Sequence, residues 1–366
     1  MAVPPASSSK ANCDCALKGW FIDRLGLGPV LTMVAKKTVP VHTHSVWYYL
    51  GGIALMLIGI QFVTGLLLMV HYVPSIDAAY ASILNINTRV DFGWFVRSFH
   101  SWSANLLILA LFIHMFSTYF MKAYRAPREM TWLTGLVLLV VCMGFGFTGY
   151  LLPWDEVAYA ASKIGLDITS KVPVIGAMMA TLLRGGEVVG QATLSRFFLI
   201  HVIGLPLALI GLLGTHLWLV QAHGISRPEA DNALPEAQKK SEPFVPNFAL
   251  KDAMVWLLVI NLVATLVALF PWGLGAQADP AAPAPMGIKP EWYFLAMFQF
   301  LKGIPAYVGP LEGEQAGLLF FSAIGLVFAS APFVDKTPGT GVSKLYHWFG
   351  CVVLAGMILF TFLGFQ

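Results

Sequence analysis

Residues 97–120 read RSFHSWSANLLILALFIHMFSTYF, and this stretch decides the fold. After Arg97 it contains no acidic or basic residue except two histidines, and it is long enough to cross a hydrocarbon core of about 30 Å as a helix. Six further apolar runs have similar lengths, so the seven predicted spans are 46–71, 95–120, 131–152, 196–221, 253–272, 316–334 and 346–365. The sequence therefore predicts an all-α, polytopic membrane protein with seven transmembrane helices, a four-helix bundle followed by three helices.

The composition agrees with this fold class. Hydrophobic residues make up 57% of the 366 residues and charged residues only 11%, with a mean hydropathy of +0.73. Soluble globular proteins carry roughly a quarter charged residues, so a water-soluble enzyme is excluded. A formal net charge of +3, spread among the loops, does not indicate nucleic-acid binding.

The four cysteines do not indicate a disulfide scaffold. Cys13 and Cys15 form a C-x-C pair without the following Cys-His of a c-type haem site, and we expect them to be solvent-exposed rather than haem-attaching. The first apolar run begins only near Val46, so no cleavable signal peptide is predicted.

The distribution of basic residues predicts the orientation. Fourteen of the 22 lysines and arginines fall on the side of the N-terminus, which is therefore predicted on the cytoplasmic-type, negative face of the membrane. Residues 17–35 predict an amphipathic helix, either lying on that face or packed against the bundle. A composition break at 224–252 divides the chain into an N-terminal segment, a four-helix domain and a three-helix domain, at residues 1–45, 46–223 and 224–366. The long loops 153–195 and 273–315 on the opposite, positive face predict a binding site.

Four of the nine histidines lie within predicted spans, His100 and His114 on the second and His201 and His216 on the fourth. Ionisable residues inside a bilayer are functional candidates. An interval of fourteen residues turns a helix by about 320° and fifteen by about 60°, with rises of about 21 and 22 Å, so both histidines of each helix look in similar directions at two depths. Because the two helices run in parallel, His100 matches His201 in depth and His114 matches His216. Two facing pairs are what two bis-imidazole haems stacked in a bundle require.

Glycines repeat at the interval of the histidines. Gly51 and Gly65 in the first span, and Gly135 and Gly149 in the third, are fourteen residues apart. They would clear space for a flat group at both depths, although small residues also serve ordinary helix packing.

Four motifs resemble a known family. They are RSFHSWSA at 97–104, TGYLLPWD at 148–155, GQATLSRFF at 190–198 before His201, and PEWY at 290–293. Together they resemble the cytochrome b subunit of quinol-oxidising cytochrome bc and bf complexes, over roughly residues 18–366. The fifteen-residue interval between His201 and His216 resembles the chloroplast and cyanobacterial type. Seven helices resemble the four-helix subunit of that type joined in one chain to its three-helix partner.

The resemblance implies site roles on the positive face. His100 and His201 would ligate one non-covalent b-type haem there, and His114 and His216 a second near the negative face. Arg97 and Arg196 are expected either to contact haem propionates or to be ordinary boundary arginines. Glu291 is expected to accept a proton from quinol. The rest of this predicted quinol site comprises Pro290, Trp292, Tyr293 and Tyr150, covered by a surface helix over residues 150–159.

On the negative face, Lys251-Asp252 resembles a quinone-reduction motif of the mitochondrial type, so Asp252 is expected to donate protons to quinone, or to mark only a helix start. Further candidates are His42, His44, Gln221 and His223. Tyr49 stands where the chloroplast type has a cysteine that attaches an extra haem, so no covalent haem is predicted. Ser101 and Ser117 replace arginines that are usual in that type.

The function implied by the resemblance is quinol oxidation on the positive face, with electrons passed through two haems to quinone on the negative face and coupled to proton translocation. It implies a Rieske iron–sulfur protein, a c-type cytochrome or equivalent acceptor, a dimeric complex and a bacterial-type energy-transducing membrane. One alternative is a di-haem anchor of a dehydrogenase or hydrogenase, which leaves the 290–293 motif unexplained. The other is a transporter whose histidines relay protons.

Overall fold

The structure, a computed structural model, describes residues 19–366, so Cys13 and Cys15 lie outside the described residues. All seven predicted transmembrane helices are confirmed. They span Ser45–Met69, Gly93–Phe120, Glu129–Tyr150, Gln191–His223, Phe244–Leu269, Gly313–Val334 and Gly341–Phe365, and are called the first to seventh membrane helices.

All seven membrane helices begin before their predicted spans, and the fifth differs most. The fourth begins at Gln191 rather than residue 196, and the fifth at Phe244 rather than residue 253. The predicted spans stop at charged residues, but Arg196, Lys251 and Asp252 lie within helical turns. A first helical turn reaches the membrane–water boundary, where charge is tolerated.

The first long positive-face loop, 153–195, is largely helical, whereas the second, 273–315, contains one helix and a short hairpin. Asp155 caps the helix that follows the third membrane helix, since its carboxylate accepts a hydrogen bond from the Ala158 N–H at 2.9 Å. That surface helix therefore begins at Glu156, not at Tyr150 as predicted, and a two-stranded hairpin precedes the sixth membrane helix. The helices outside the membrane spans are Gly28–Lys36, Ala79–Thr88, Glu156–Ser170, Gly176–Arg184, Glu229–Asn232, Glu236–Gln238 and Trp292–Gly303, and the strands are Thr38–Pro40, Ser241–Pro243, Tyr307–Val308 and Leu311–Glu312.

The N-terminal segment forms two short helices where one was predicted over residues 17–35. Residues 19–24 and Gly28–Lys36 are helical, and Gly26, with φ +61°, ends the first. A left-handed glycine commonly ends a helix. The side chains of Trp20 and Phe21 are about half exposed, at 54% and 53%, rather than packed on the bundle. Beyond this segment, Thr38–Pro40 pairs antiparallel with Ser241–Pro243.

The membrane helices pack in a regular order. The first packs most extensively on the second and the third on the fourth, while the fifth covers the first two. Leu57, Val263 and Val267 are fully buried where the first and fifth helices meet. This packing holds the second and fourth helices, which carry the four membrane histidines, in fixed positions.

A buried ionic cluster fastens the turn after the second membrane helix to the turn after the sixth. The Asp335 carboxylate, fully buried, pairs with Lys122 at 3.0 Å and with Arg125 at 2.6 Å, and accepts a hydrogen bond from the Tyr124 hydroxyl. Burial by itself would raise the pKa of Asp335, but the hydrogen bonds from Tyr124, Arg125 and Lys122 outweigh it and hold the pKa below its ordinary value. The cluster therefore keeps Asp335 charged at neutral pH.

Candidate functional site

The four membrane histidines form two pairs between the second and fourth helices. The imidazoles of His100 and His201 are near enough to interact electrostatically, as are those of His114 and His216. Their depths agree with the predicted match.

Each predicted glycine lies against a different histidine. A Cβ on Gly51 would be 3.6 Å from Cε1 of His114, and one on Gly65 would be 3.5 Å from Cε1 of His100. On the third helix the corresponding distances are 3.3 Å for Gly135 to His216 and 2.6 Å for Gly149 to His201. Of these four Cβ atoms, only the one on Gly149 would overlap an imidazole ring; the contact at Gly135 would be tight, and those at Gly51 and Gly65 would be ordinary van der Waals contacts.

Threonine hydroxyls hold three of these imidazoles. Oγ1 of Thr64, Thr134 and Thr148 lies 2.8, 3.1 and 3.1 Å from Nδ1 of His100, His216 and His201, respectively. Each hydroxyl donates its own proton to the carbonyl four residues earlier, at 2.7, 2.9 and 2.8 Å. The hydroxyl oxygen must then accept from Nδ1–H, so these three histidines carry their proton on Nδ1.

This tautomer leaves the Nε2 lone pairs free. Within residues 19–366, no Nε2 of the four histidines takes part in a hydrogen bond. Four imidazoles with free Nε2 atoms, three of them fixed through Nδ1, fit the axial positions of two haem irons. The donor set therefore fits the predicted group.

A π-turn at Ile200–Gly204 contains His201. The Leu205 N–H donates to the Ile200 carbonyl, which places one additional residue in this turn. Pro206 has no N–H and its ring disfavours a regular helical bond at this point. With one additional residue in the turn, the fifteen residues from His201 to His216 rotate about as far around the helix axis as the fourteen residues from His100 to His114. The rotation of about 60° predicted from a regular helix is therefore wrong for this interval.

The two boundary arginines bind backbone carbonyls. Arg97, 6% exposed, donates to the carbonyls of Trp272 and Gly273, both at 2.9 Å. Arg196 donates to the carbonyls of Thr181 and Leu182. Each guanidinium thus anchors a positive-face loop, and its contact with a haem propionate remains a prediction.

A cavity of about 450 Å³ lies on the positive side, between the third membrane helix, the surface helix and the PEWY motif. Glu291 occupies the N-cap position of the helix Trp292–Gly303, but its carboxylate does not cap it and has no hydrogen-bond partner within the described chain. Burial raises the pKa of Glu291 above its ordinary value. The walls are mainly apolar, with Met143, Phe147, Ile164, Ile168, Phe294, Met297 and Leu318 among the lining residues.

Of the other residues predicted for this site, three line the cavity and one does not. Pro290, Tyr150 and Tyr293 line the cavity together with Glu291. Burial first, and then the charge of Glu291, raises the pKa of Tyr293, which keeps its hydroxyl protonated. That hydroxyl lies against Gly146, where a Cβ would displace it. Trp292 does not line this cavity, because the next residue on a helix points about 100° away.

The Trp292 indole faces the second membrane helix instead. It donates to Oδ1 of Asn105 at 2.8 Å and packs edge-on against Phe112. It lines a different cavity, between the second and seventh membrane helices. The side chain that was predicted to touch quinol therefore anchors the motif.

On the negative side, the Asp252 carboxylate lies against the first membrane helix. A Cβ on Gly52 would be 2.5 Å from both carboxylate oxygens, and Oδ1 is buried without a partner in the described residues. The neighbouring Lys251 pairs with Glu242 at 2.6 Å. The Tyr49 ring stacks on Phe248 with centroids 4.9 Å apart and an interplanar angle of 7°.

The remaining negative-face candidates do not gather around Asp252. Nε2 of His42 bonds the Tyr48 hydroxyl at 2.5 Å, and the His44 N–H donates to Nδ1 of His42 at 3.0 Å. Gln221 accepts from Lys37 at 2.7 Å, while the carbonyl of His223 accepts from Arg128. Ser117 donates to the His114 carbonyl at 2.9 Å. On the positive side, next to His100, the Ser101 carbonyl accepts from Asn105.

The three threonines are the functional residues that sequence reasoning missed. Each immediately precedes a predicted glycine, as Thr64-Gly65, Thr134-Gly135 and Thr148-Gly149. The repeated pair was a usable signal. The first glycine breaks the pattern, because Leu50 precedes Gly51.

Comparison with known proteins gives matches over most of the chain. The family model described as "Cytochrome b/b6/petB" matches residues 34–224, and "Cytochrome b(C-terminal)/b6/petD" matches residues 277–366. The chain is 44% identical over 362 residues to the "Cytochrome bc complex cytochrome b subunit" of Chlorobaculum thiosulfatiphilum, which covers 98% of this chain and 82% of that protein. It is 44% identical over 209 residues to "Cytochrome b6" of Prochlorococcus marinus strain AS9601, which covers 57% of this chain and 95% of that protein.

A solved structure is also similar. A chain of "Hyperthermophilic respiratory Complex III" aligns with a TM-score of 0.77 and 27% identity, covering 95% of this chain and 98% of that one.

Proposed function

We propose, from the premise that this chain belongs to the cytochrome b family of bc-type complexes, that it is the di-haem core that oxidises quinol in such a complex. It is an integral membrane protein and an electron-transfer subunit of an oxidoreductase complex. The proposal extends this family role to two haems, a quinol site, a quinone site and their residues.

The observation that supports the proposal is the arrangement of the four membrane histidines in two facing pairs. His100 with His201, and His114 with His216, lie between two parallel helices, each imidazole against a glycine. We assign them as axial ligands of two non-covalent b-type haems, which when bound carry single electrons across the membrane. Gly149 leaves room for the His201 ring, and threonine hydroxyls orient three of the four rings.

The cavity around Glu291 is the proposed quinol-oxidation site. An uncapped carboxylate with a raised pKa in apolar surroundings can accept a proton from a quinol hydroxyl at neutral pH. Tyr293, which stays protonated, can donate a hydrogen bond to a quinone oxygen, and Tyr150 and Pro290 shape the wall. Protons would then leave on the positive face.

Asp252 is the proposed proton donor to quinone on the negative face. Its Oδ1 is buried without a partner in residues 19–366, so the carboxyl has bonding capacity left for a ligand. Tyr49 has no thiol that could form a thioether bond to a haem, so no covalent haem is proposed at this position, where the Tyr49 ring stacks on Phe248.

The wider assignments follow from the family resemblance and the distribution of charge. We propose that the N-terminus lies on the cytoplasmic side of a bacterial-type energy-transducing membrane. The proposed partners are a Rieske iron–sulfur protein and a c-type cytochrome or equivalent acceptor, in a dimeric complex. The three domains proposed for this chain are an N-terminal segment, a four-helix domain and a three-helix domain, at residues 1–45, 46–223 and 224–366.

The testing experiment combines haem quantification with quinol turnover. The purified complex should contain two b-type haems per chain with separable potentials, and should reduce an external acceptor with a quinol analogue. Glu291→Gln should slow turnover roughly 100-fold or more, because a general base typically contributes 10²- to 10⁴-fold, and should leave both haems bound.

Glu187→Gln is the matched control, because Glu187 is an exposed glutamate in a positive-face loop. It should leave turnover unchanged. Absence of haem from the purified complex, or equal slowing by both variants, contradicts the proposal.

A further inference from the structure

Three of the four membrane histidines share one arrangement, and the fourth lacks it. His100, His201 and His216 each donate Nδ1–H to the hydroxyl of a threonine that precedes a glycine. Nδ1 of His114 is buried and has no hydrogen-bond partner among residues 19–366. The unpartnered nitrogen is therefore confined to the negative-face pair.

Nδ1 of His114 lacks a partner because of the residue that precedes Gly51 in the first membrane helix. Gly51 contacts His114 much as Gly65 contacts His100, with Cβ-to-Cε1 distances of 3.6 and 3.5 Å. The glycine-to-histidine distances are therefore equivalent at the two depths. The residue before Gly51, however, is Leu50, whose side chain has no hydrogen-bond acceptor.

The backbone does not supply a substitute. Within residues 19–366, no backbone carbonyl accepts a hydrogen bond from Nδ1 of His114. Trp47, four residues before Gly51, lies in the 3₁₀ turn Ser45–Tyr48 that precedes the α-helix. A tighter turn directs its carbonyls differently from an α-helical turn.

We infer that Leu50 makes the negative-face pair the weaker electron donor to a bound haem iron, because one of its two imidazoles lacks the hydrogen bond present at the other three. This inference rests on the proposed ligation. An imidazole that donates Nδ1–H is a more basic ligand, and second-shell hydrogen bonds are among the determinants of haem potential. The more basic ligand favours ferric iron, so the missing bond raises the reduction potential of the negative-face haem.

The test compares Leu50→Thr with Leu50→Val in the purified complex. The two substitutions introduce side chains of the same shape and differ only in a hydroxyl. Redox titration of the visible spectrum should show the negative-face haem harder to reduce in Leu50→Thr, on the order of tenfold in its reduction equilibrium, or about 59 mV for one electron. Leu50→Val should not shift it downwards, and the other haem should not move in either variant.

Two threonine variants identify the bands and provide a second measurement. Thr134→Val removes the bond to His216 and should raise the potential of the same haem that Leu50→Thr lowers, whereas Thr148→Val should raise that of the other haem. If Leu50→Thr does not assemble, the shift in Thr134→Val carries the test.

The possible outcomes distinguish a failure of the role of Leu50 from a failure of the proposed haem ligation. If the complex holds two haems per chain, three results overturn the role of Leu50 and leave the proposed ligation standing. The reduction potential shifts equally in Leu50→Thr and Leu50→Val, or it shifts in neither, or Thr134→Val changes the potential of neither haem. Fewer than two haems per wild-type chain overturns the ligation itself.

Discussion

The substitution of alanine for the four glycines beside the histidines should have graded effects, and Gly149→Ala should be the most severe. A Cβ at this position would lie 2.6 Å from Cε1 and 3.2 Å from Nδ1 of His201. Carbon atoms in contact prefer about 3.5–4.0 Å, so the ring must move. The ring is held by Thr148 at 3.1 Å and packs against Phe145, which limits how far it can shift.

The magnitude follows from the distances. Overpacking a fitted site costs about 1–3 kcal/mol, which corresponds to roughly 5- to 150-fold weaker retention of the haem at His201. Gly65→Ala, beside the opposite ligand of the same proposed haem, would place its Cβ 3.5 Å from His100, an ordinary contact. We therefore expect it to retain haem nearly as wild type, with Gly135→Ala, at 3.3 Å, between the two.

The assay is haem per chain by pyridine haemochrome, together with reduced-minus-oxidised spectra during redox titration. Gly149→Ala should lose or shift only the positive-face signal, and Gly65→Ala is the matched control on that haem. Equal haem loss in both variants, or selective loss of the negative-face signal in Gly149→Ala, would refute the reasoning.

Three further predictions concern charged groups. Because burial raises the pKa of Glu291, the rate of quinol oxidation in the wild type should fall as the pH drops through that raised value. Glu291→Gln should be slow at every pH, with a rate nearly independent of pH. If the variant keeps the wild-type loss of rate at low pH, Glu291 is not the base. Asp252→Asn should slow reoxidation of the negative-face haem by quinone in flash or stopped-flow spectroscopy without slowing quinol oxidation, and unchanged reoxidation argues against proton donation by this residue. Asp335→Asn leaves Lys122 and Arg125 without their buried partner and should lower stability by about 3 kcal/mol, measured as thermal loss of the haem spectrum. The Asp335 contribution is present above the ordinary pKa of an aspartate and is lost as pH falls through its lowered value, so the difference between wild type and variant should vanish in acid.

The sequence determined the fold class and the ligand candidates. Seven apolar runs must be helices, because a bilayer offers backbone groups no hydrogen-bond partners. The intervals between His100 and His114 and between Gly51 and Gly65 follow from helix periodicity, which is a local property that can be counted along the chain. The PEWY motif was likewise visible as a string of residues.

The tertiary structure decided which atoms meet. Glycine identity does not tell which imidazole lies against Gly149, and the spacing of His201 and His216 could not show that a π-turn at Ile200–Gly204 accommodates one additional residue. The opposite directions of Trp292 and Tyr293 depend on how their helix is rotated against its neighbours. The unpartnered nitrogen of His114 depends on Leu50, a residue more than sixty positions away. Such contacts join separate helices, and their geometry is fixed by packing between helices rather than by periodicity within one.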